Sequence, residues 1–268
     1  MSINTISNSG TSYSLTGIED ASVVVLIHGL GLTHRMWDQY LPMLEKNYRV
    51  LAYDLLGHGD SRPPEKAPSL ASYSKQLCDL MDELKIETAA LIGFSLGGMI
   101  NRRFAMNYPA RASVLGIFNS PHERSPEAQK QVEQRAADTR DGGPGATLQA
   151  TLERWFTSRF RAESQDVVQQ IAAYVLANDT VAYAQCRQVL ATGVIELIRP
   201  NSPLDLPVLV ITCEHDSGST PAMSYAIASE ISGAEVVVIP VLQHMGVVEQ
   251  PALFIEPLLK FLNSAHKL

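Results

Sequence analysis

The stretch from Ala89 to Met99 constrains the fold of this chain more than any other, because it joins an apolar run to a serine between glycines. Residues 89–92 have the length and composition of a buried strand, which stops at Gly93-Phe94-Ser95-Leu96-Gly97. An apolar-periodic segment typical of a helix follows. A residue in so tight a strand-to-helix turn is strained, and side chains two positions before and after it would collide there. Both of those positions therefore require glycine.

This strand, turn and helix form the G-x-S-x-G arrangement that exposes a serine hydroxyl as a nucleophile. Because the helix begins next to Ser95, its free N–H groups and partial positive charge point toward any negative charge that develops there. We expect the Leu96 N–H to be one donor of an oxyanion hole. The second donor is expected in the glycine-containing loop after the strand Val23–His28, at Leu30 N–H, with Gly31 N–H as the alternative.

Composition excludes several classes of partner. The 268 residues, 46% of them hydrophobic, suffice for one α/β domain with an inserted cap, and the net charge is -7 with no cluster of Lys and Arg. We therefore expect no nucleic-acid partner. The longest apolar run, Val23–Ile27, is far shorter than the roughly 18 residues of a membrane span, so no membrane partner is expected.

The cellular compartment follows from cysteine usage and from the N-terminal residues. Three cysteines at wide spacing favour a reducing compartment without a disulfide framework. Residues 1–11 lack the charged and apolar regions of a secretory signal. We predict a cytoplasmic protein, and the sequence leaves open whether it is a monomer or a homodimer.

Strand and helix patterns alternate in two parts of the chain, which flank a helical stretch. In residues 1–121 and 201–268, apolar runs alternate with amphipathic segments, as in a parallel sheet with crossover helices. Residues 122–200 contain no strand-like run. The sequence predicts an α/β fold with a mostly parallel, doubly wound sheet forming a core of residues 1–121 and 201–268, and with a helical cap of residues 122–200. The predicted strands are Tyr13–Leu15 at an edge, Val23–His28, Tyr48–Tyr53, the run at 89–92, Ser113–Asn119, Leu206–Thr212 and Val236–Ile239; the predicted helices of the core include Arg35–Lys46, Ser69–Leu84, a helix ending at Tyr108, and helices near Pro221–Ile231 and Pro251–Asn263.

A serine nucleophile needs a base, and the base needs a carboxylate that orients it. Asp216 follows the strand Leu206–Thr212, and His244 follows Val236–Ile239, in the order nucleophile, acid, histidine that this arrangement requires. Glu214 is an alternative acid, because it lies two residues from Asp216. The loop after Ser113–Asn119 offers no carboxylate.

The polar residues admit two other interpretations. Gly29-Leu30-Gly31 after a strand partly imitates a dinucleotide-binding loop, but the third glycine position holds His34, and this interpretation leaves Ser95 unexplained. His34 and His122 are alternative residues at the edge of a pocket. The sequence contains no H-E-x-x-H motif and no paired cysteines, so we expect neither a metal nor a cofactor.

The cap offers candidate substrate contacts. Trp155 and Phe156 are adjacent on a predicted helix and cannot point the same way, so one of them is expected to face the cleft. Arginines are frequent in residues 122–200, and most are expected to be solvated. An arginine buried at the pocket would indicate an anionic substrate, because an unpaired buried guanidinium is unfavourable.

Over essentially its whole length the chain resembles the α/β-hydrolase superfamily. The motifs that carry this resemblance are His28-Gly29-Leu30-Gly31, the segment D-L-L-G-H-G-D-S at 54–61, G-F-S-L-G-G at 93–98, His215-Asp216 and Gln243-His244-Met245. The cap strings E-R-W-F-T at 153–157 and N-D-T-V-A-Y-A-Q-C at 178–186 are similar to those of 3-oxoadipate enol-lactonases. The resemblance implies a triad of Ser95, Asp216 and His244, with Trp155 and Arg154 as substrate-binding residues.

We therefore expect a serine hydrolase that cleaves a small carboxylic ester or lactone through an acyl-enzyme. One alternative is a hydrolase of C–C bonds in ring-fission products, since related capped branches use the same triad. Another is a ligand receptor on the same fold with slow turnover, which would keep the triad but bind tightly and recruit a partner protein. Activity on ring-fission dienes exceeding that on simple esters would indicate the first alternative.

Overall fold

A single eight-stranded sheet forms the centre of the computed structural model, which describes residues 4–201 and 203–265. The order of the strands across the sheet is β1-β2-β4-β3-β5-β6-β7-β8. The first two pairings are antiparallel, and every pairing from β4 to β8 is parallel. The strands are β1 (Thr5–Ile6), β2 (Ser12–Gly17), β3 (Val23–Ile27), β4 (Arg49–Tyr53), β5 (Ala89–Phe94), β6 (Ala112–Phe118), β7 (Val208–Cys213) and β8 (Glu235–Ile239).

Helices connect the parallel strands. Short 3₁₀ turns occur at His34–Trp37, Pro109–Arg111, Pro144–Thr147 and Gly193–Glu196. The α-helices are α1 (Leu41–Leu44), α2 (Leu70–Glu83), α3 (Leu96–Asn107), α4 (Pro126–Gly142), α5 (Leu148–Trp155), α6 (Ser158–Glu163), α7 (Gln165–Leu176), α8 (Thr180–Thr192), α9 (Pro221–Ser229), α10 (Gly246–Glu249) and α11 (Ala252–Ala265).

The order of the strands determines where loops at the edge of the sheet can form a crevice. After β3 the chain moves to one side of the sheet to form β4, and it then returns to the other side of β3 to form β5. At such a switch point the loops leaving the carboxyl ends of the two adjacent strands diverge and open a crevice. The loop after β3 carries Leu30, and the turn after β5 carries Ser95.

Burial explains why these segments form strands in the middle of the sheet. Every residue of β5 and β7 is buried, as expected for strands covered on both faces. Helix α2 buries Tyr73, Leu77 and Leu80 at helical spacing, and Ser69 and Ser72 close its N-terminus with a reciprocal capping box. Each such apolar side chain stabilises the fold by about 1.5–3 kcal/mol when fully buried.

The stretch between β6 and β7 contains α4 to α8, which lie in the segment that we interpret as the cap. These helices contact one another, most extensively α4 with α8 and also α5 and α6 with α7. We retain the division into a core of residues 1–121 and 201–268 and a cap of residues 122–200 as our interpretation of the domain organisation. Among the described residues, no helix is long and apolar enough to cross a bilayer.

Two local expectations were wrong, and one element was not expected. β2 is not at the edge, because the short β1 pairs with it on the outer side. The expected helix Arg35–Lys46 is a 3₁₀ turn followed by α1, since Pro42 has no N–H to continue a helix from the preceding turn. The four-residue helix α10 directly after the His244 loop was not expected.

Candidate active site

Ser95 is the strained residue between β5 and α3. Its backbone has φ 55° and ψ -110°, in a region that residues other than glycine rarely adopt. A Cβ on Gly93 would meet the Gly97 carbonyl oxygen, and a Cβ on Gly97 would meet the carbonyl oxygen of Ile27 in β3. Both glycines of the motif are therefore required by the close approach of the turn, α3 and β3.

Asp216 and His244 meet where the loops after β7 and β8 converge. The His244 Nδ1–H donates to Asp216 Oδ2 at 2.6 Å. Because the carboxylate accepts this hydrogen bond, the Nδ1 position carries the proton and Nε2 is the basic nitrogen of the neutral ring. His244 and Ser95 line the same cavity.

Asp216 is held by donors from three segments. The N–H groups of Gly218 and Ser219 donate to Oδ1 at 2.8 and 2.9 Å, and Asn119 Nδ2 donates to Oδ2 at 2.9 Å. Burial alone would raise the pKa of Asp216. The charge and hydrogen bond of His244, together with the donors from Asn119 and Ser219, nonetheless keep this pKa below its ordinary value. Asp216 is therefore an ionised partner for an imidazolium at His244.

The alternative acid, Glu214, points elsewhere. It is exposed, and its Oε2 accepts from the Val241 N–H at 2.8 Å. Asn119 is a residue that sequence reasoning missed. It follows β6 with φ 44°, a conformation that asparagine tolerates, and its amide completes the shell around Asp216. The available signal was the polar residue at the carboxyl end of the strand next to β7.

Of the two expected oxyanion donors, Leu30 lines the cavity and Leu96 directly follows Ser95. Within the described part of the chain, neither the Leu30 N–H nor the Leu96 N–H has an internal acceptor. Leu96 is the first residue of α3, where an N–H has no intrahelical partner. Leu30 lines the cavity and Gly31 does not, which favours Leu30 over the alternative.

Trp155 is the cap aromatic that faces the cavity. Its ring centroid lies 6.0 Å from that of His244, whereas the neighbouring Phe156 is fully buried and stacks on Phe160. The Trp155 carbonyl also accepts from the N–H of Met245, directly after His244. The cap therefore contacts the histidine loop through both a ring and a backbone hydrogen bond.

Arg154 and three further arginines, Arg124, Arg135 and Arg187, line the same cavity. Burial lowers the pKa of Arg154 to about 10, and the neighbouring Arg135 and Arg187 contribute to the decrease. The guanidinium remains charged at neutral pH. A buried arginine at the pocket indicates an anionic substrate: Arg187 is buried at this cavity, and Arg154 is half-buried there.

The other polar residues weighed in the sequence have structural partners. His34 Nδ1 pairs with Asp54 at 2.8 Å, and His122 pairs with Glu230 at 3.1 Å. Neither histidine lines the cavity. Among the residues that the structure describes, no group of three or more His, Cys, Asp or Glu side chains is placed to hold a metal ion.

Comparison with known proteins identifies the family and the fold. Residues 24–256 match the model of the Alpha/beta hydrolase family. The chain belongs to this family. It is 28% identical over 256 residues to 3-oxoadipate enol-lactonase 2 of Acinetobacter baylyi, with 94% of each chain covered.

Two further relatives show how the similarity extends. The crystal structure of the enol-lactonase from Burkholderia xenovorans LB400 superposes with a TM-score of 0.88 at 30% identity, covering 97% of this chain and 100% of that one. The (E)-2-((N-methylformamido)methylene)succinate hydrolase of Acinetobacter baylyi is 25% identical over 223 residues, or 83% of each chain. The resemblance to enol-lactonases and the α/β-hydrolase fold, both predicted from the sequence, are confirmed.

Proposed function

We propose that this hydrolase-family protein cleaves a small carboxylic ester or lactone that carries a carboxylate. The observation that carries the proposal is the convergence on one cavity of a strained serine, Ser95, and of a histidine, His244, paired with a buried carboxylate, Asp216. The similarity to enol-lactonases supports an ester or lactone as the bond that is cleaved.

In the proposed mechanism, His244 Nε2 takes the proton of the Ser95 hydroxyl as its oxygen attacks the substrate carbonyl. The Leu30 and Leu96 N–H groups hold the resulting oxyanion. Asp216 accepts from Nδ1 throughout and stabilises the imidazolium. The C–O bond to the leaving oxygen then breaks, and this oxygen receives the proton from Nε2.

Hydrolysis of the acyl-enzyme repeats these steps with water. His244 removes a proton from water, the hydroxide adds to the acyl carbonyl, and Ser95 leaves with the proton returned by Nε2. In a lactone the leaving oxygen stays attached to the acyl group, so a single hydroxy or keto acid is released. No step requires a cofactor.

Arg154 and Trp155 are proposed to hold the substrate. Arg154 Nη1 lies next to Gly218, because a Cβ atom added to Gly218 would be 3.1 Å from this nitrogen. The Gly218 N–H in turn donates to Asp216. A carboxylate bound by Arg154 would therefore lie beside the triad. The Trp155 ring, next to His244, forms an apolar wall for the acyl group.

The test is turnover of p-nitrophenyl acetate and of δ-valerolactone by the wild type and Ser95→Ala. We expect Ser95→Ala to lose about a thousandfold or more in rate, the scale of a triad member. Ser229→Ala, an exposed serine on α9, is the matched control and should retain the wild-type rate. The preference of the wild type between the two substrates distinguishes an esterase from a lactonase.

Covalent labelling gives a second measurement. Diisopropyl fluorophosphate should add one diisopropylphosphoryl group to the wild type and to Ser229→Ala, and none to Ser95→Ala, as measured by intact mass. If Ser95→Ala retains the wild-type rate of turnover or still gains a diisopropylphosphoryl group, the mechanism is wrong. Labelling without turnover of either substrate would instead favour C–C bond cleavage or a receptor with slow turnover.

A further inference from the structure

Four arginines from separate parts of the cap share the cavity of Ser95. Arg124 precedes α4, Arg135 lies on α4, Arg154 on α5 and Arg187 on α8. No aspartate or glutamate of the described residues lines this cavity. The whole chain has a net charge of -7, so this local excess of positive charge is opposite in sign to the molecule.

None of the four guanidinium groups forms an ion pair with a carboxylate of the described residues. Arg124 has acceptors within the protein, because its guanidinium donates to the carbonyl oxygens of Leu190 and Ala191 and to the Gln129 side chain. Arg187 is buried and donates one N–H to the Tyr183 hydroxyl at 3.2 Å. The guanidinium groups of Arg135 and Arg154 have no acceptor within residues 4–201 and 203–265. Most of the donors therefore remain available for a ligand.

The positive charges of the cavity arginines repel one another. Burial lowers the pKa of Arg135, and the charge of Arg187 lowers it further. Burial likewise lowers the pKa of Arg124 to about 10, with a contribution from Arg135. At neutral pH all four groups still carry their charge. One carboxylate at Arg154 would leave the remaining charges uncompensated, which is unfavourable in a partly desolvated cavity.

Arg154 and the Arg135–Arg187 pair come from different elements of the cap. Arg154 lies against Gly218, whose N–H donates to Asp216, so it lies on the triad side of the cavity. The charges of Arg135, Asp216 and Arg187 all act on it. Arg135 and Arg187 come from α4 and α8, which pack against each other, and Val132 and Leu190 from the same two helices also line the cavity. The cavity therefore extends from the triad to the α4–α8 seam.

We propose that Arg135 and Arg187 form a second anion-binding subsite, so that the substrate carries two separate oxyanion groups, one at Arg154 and one at the α4–α8 seam. That the dianion is an ester substrate rests on the proposed function, whereas the binding of a dianion in the cavity does not. A guanidinium pair receives a carboxylate or a phosphate through the same charge-assisted hydrogen bonds, so the chemistry assigned is that of an oxyanion.

Binding is measured first, in the Ser95→Ala background and at constant ionic strength, by calorimetry. The ligands are butyrate with one carboxylate, succinate with two, and 3-phosphonopropionate with a carboxylate and a phosphonate. We expect succinate to bind about tenfold or more tightly than butyrate, the scale of one charge-assisted hydrogen bond. Adding Arg135→Gln should remove most of this preference. Adding Arg140→Gln, an exposed position on the same helix, should not.

The ligand comparison also distinguishes the two oxyanions. Tighter binding of 3-phosphonopropionate than of succinate, lost in Arg135→Gln, assigns the subsite to a phosphate group; the reverse order assigns it to a carboxylate. Equal binding of butyrate and succinate overturns the proposal. So does an equal loss of preference in Arg135→Gln and Arg140→Gln, or no loss in Arg135→Gln.

Turnover provides the second arm. The wild type is compared on mono-p-nitrophenyl glutarate, with one free carboxylate, and on the mono-p-nitrophenyl ester of tricarballylate, with two. We expect the ratio of kcat/KM to favour the second ester by about tenfold and to fall toward one in Arg135→Gln. A dianion preference in binding without Ser95-dependent turnover would refute the proposed function and support the second anion-binding subsite. Ser95-dependent turnover without any dianion preference would support the proposed function and refute the subsite.

Discussion

The hydrogen bonds around Asp216 decide whether His244 can act as a base. Asp216 accepts from His244, from the Asn119 side chain and from two N–H groups of its own turn. These donors offset the penalty of burial and keep the carboxylate ionised, so the imidazole is oriented with Nε2 toward the cavity. The donor from Asn119 comes from the neighbouring strand β6, and it is the one that a substitution can remove without changing the turn.

Asn119→Gly tests this contribution. Glycine keeps the positive φ that the backbone adopts at this position, so the substitution removes the amide donor without adding strain. We expect kcat/KM for p-nitrophenyl acetate to fall about tenfold, because a hydrogen bond to a charged group contributes about 1.5–3 kcal/mol. Lys85→Gly, at an exposed position that also has positive φ, is the matched control and should keep the wild-type value. A wild-type value in Asn119→Gly would show that Asp216 needs no donor from β6.

Among single residues, the sequence predicted the three candidate triad residues but not the side chain that hydrogen-bonds to Asp216. Ser95, Asp216 and His244 were predicted because each follows an apolar run, in the chain order that a triad requires. Asn119 was recognised only as a position without a carboxylate. An asparagine after a strand occurs for many reasons, and its partner lies 97 residues away in the chain. Only the three-dimensional pairing of β6 with β7 brings the two together.

Among the elements, the junction between the cap and the histidine loop joins the segment of the proposed substrate-binding residues to the segment of His244. Thr157 is the N-cap of α6, and both its N–H and its hydroxyl donate to the carboxylate of Glu249 in α10. Two residues earlier, the Trp155 carbonyl accepts from the Met245 N–H. The cap is therefore fastened to the segment directly after His244 by three hydrogen bonds.

Glu249→Gln should loosen this junction. The amide keeps the volume but loses the charge and one of the two acceptors, which removes about 1.5–3 kcal/mol of local stabilisation. We expect the amides of residues 160–164 to exchange with solvent about tenfold faster or more, measured by hydrogen–deuterium exchange. Glu163→Gln, which removes only an exposed ion pair with Arg159 on α6, is the control. Equal exchange rates in the two variants would show that α6 is held by other contacts.

The elements that the sequence predicted well are those with a long apolar pattern. Helix α2 has apolar residues at helical spacing, and the buried strands are continuous apolar runs, so their positions followed from the residues alone. The segment 35–46 failed because its apolar spacing continues through Pro42, where the helix cannot. The two-residue β1 and the four-residue α10 are too short to have a period. Both depend on contacts with distant parts of the chain.

For the whole molecule, composition predicted the sign of the net charge but not its distribution. The chain is acidic overall, yet its central cavity is lined by four arginines and by no described carboxylate. Sequence alone located all four arginines in the cap without showing which of the cap arginines converge. Convergence required the packing of α4 against α8 and the approach of α5 to the loop after β7. The anionic substrate that we propose therefore depends on the fold of the cap.

Two buried histidines beneath the site make global stability depend on pH. His28 and His58 are almost fully buried, with their ring centroids 5.2 Å apart. Burial lowers the pKa of His28 to about 4 and that of His58 to about 3, and the charge of His28 contributes to the decrease at His58. Between pH 6.5 and 4 the unfolded chain therefore binds protons that the folded protein does not. Since stability rises with pH wherever the unfolded state binds more protons, stability falls as the pH is lowered through this window.

His58→Asn should weaken this dependence. Both histidines together predict a loss of up to about 4 kcal/mol in the free energy of unfolding between pH 7 and pH 5, and the variant should lose about half as much. An asparagine amide can replace the ring N–H that donates to the Leu56 carbonyl, so the fold is retained. Urea denaturation at the two pH values measures the difference for the wild type, for His58→Asn and for the exposed His215→Asn as control. If His58→Asn loses as much stability as the wild type, protonation of this buried pair does not drive acid unfolding, and the ionised Asp54 and Asp216, whose pKa values are lowered in the fold, would account for it below about pH 4 instead.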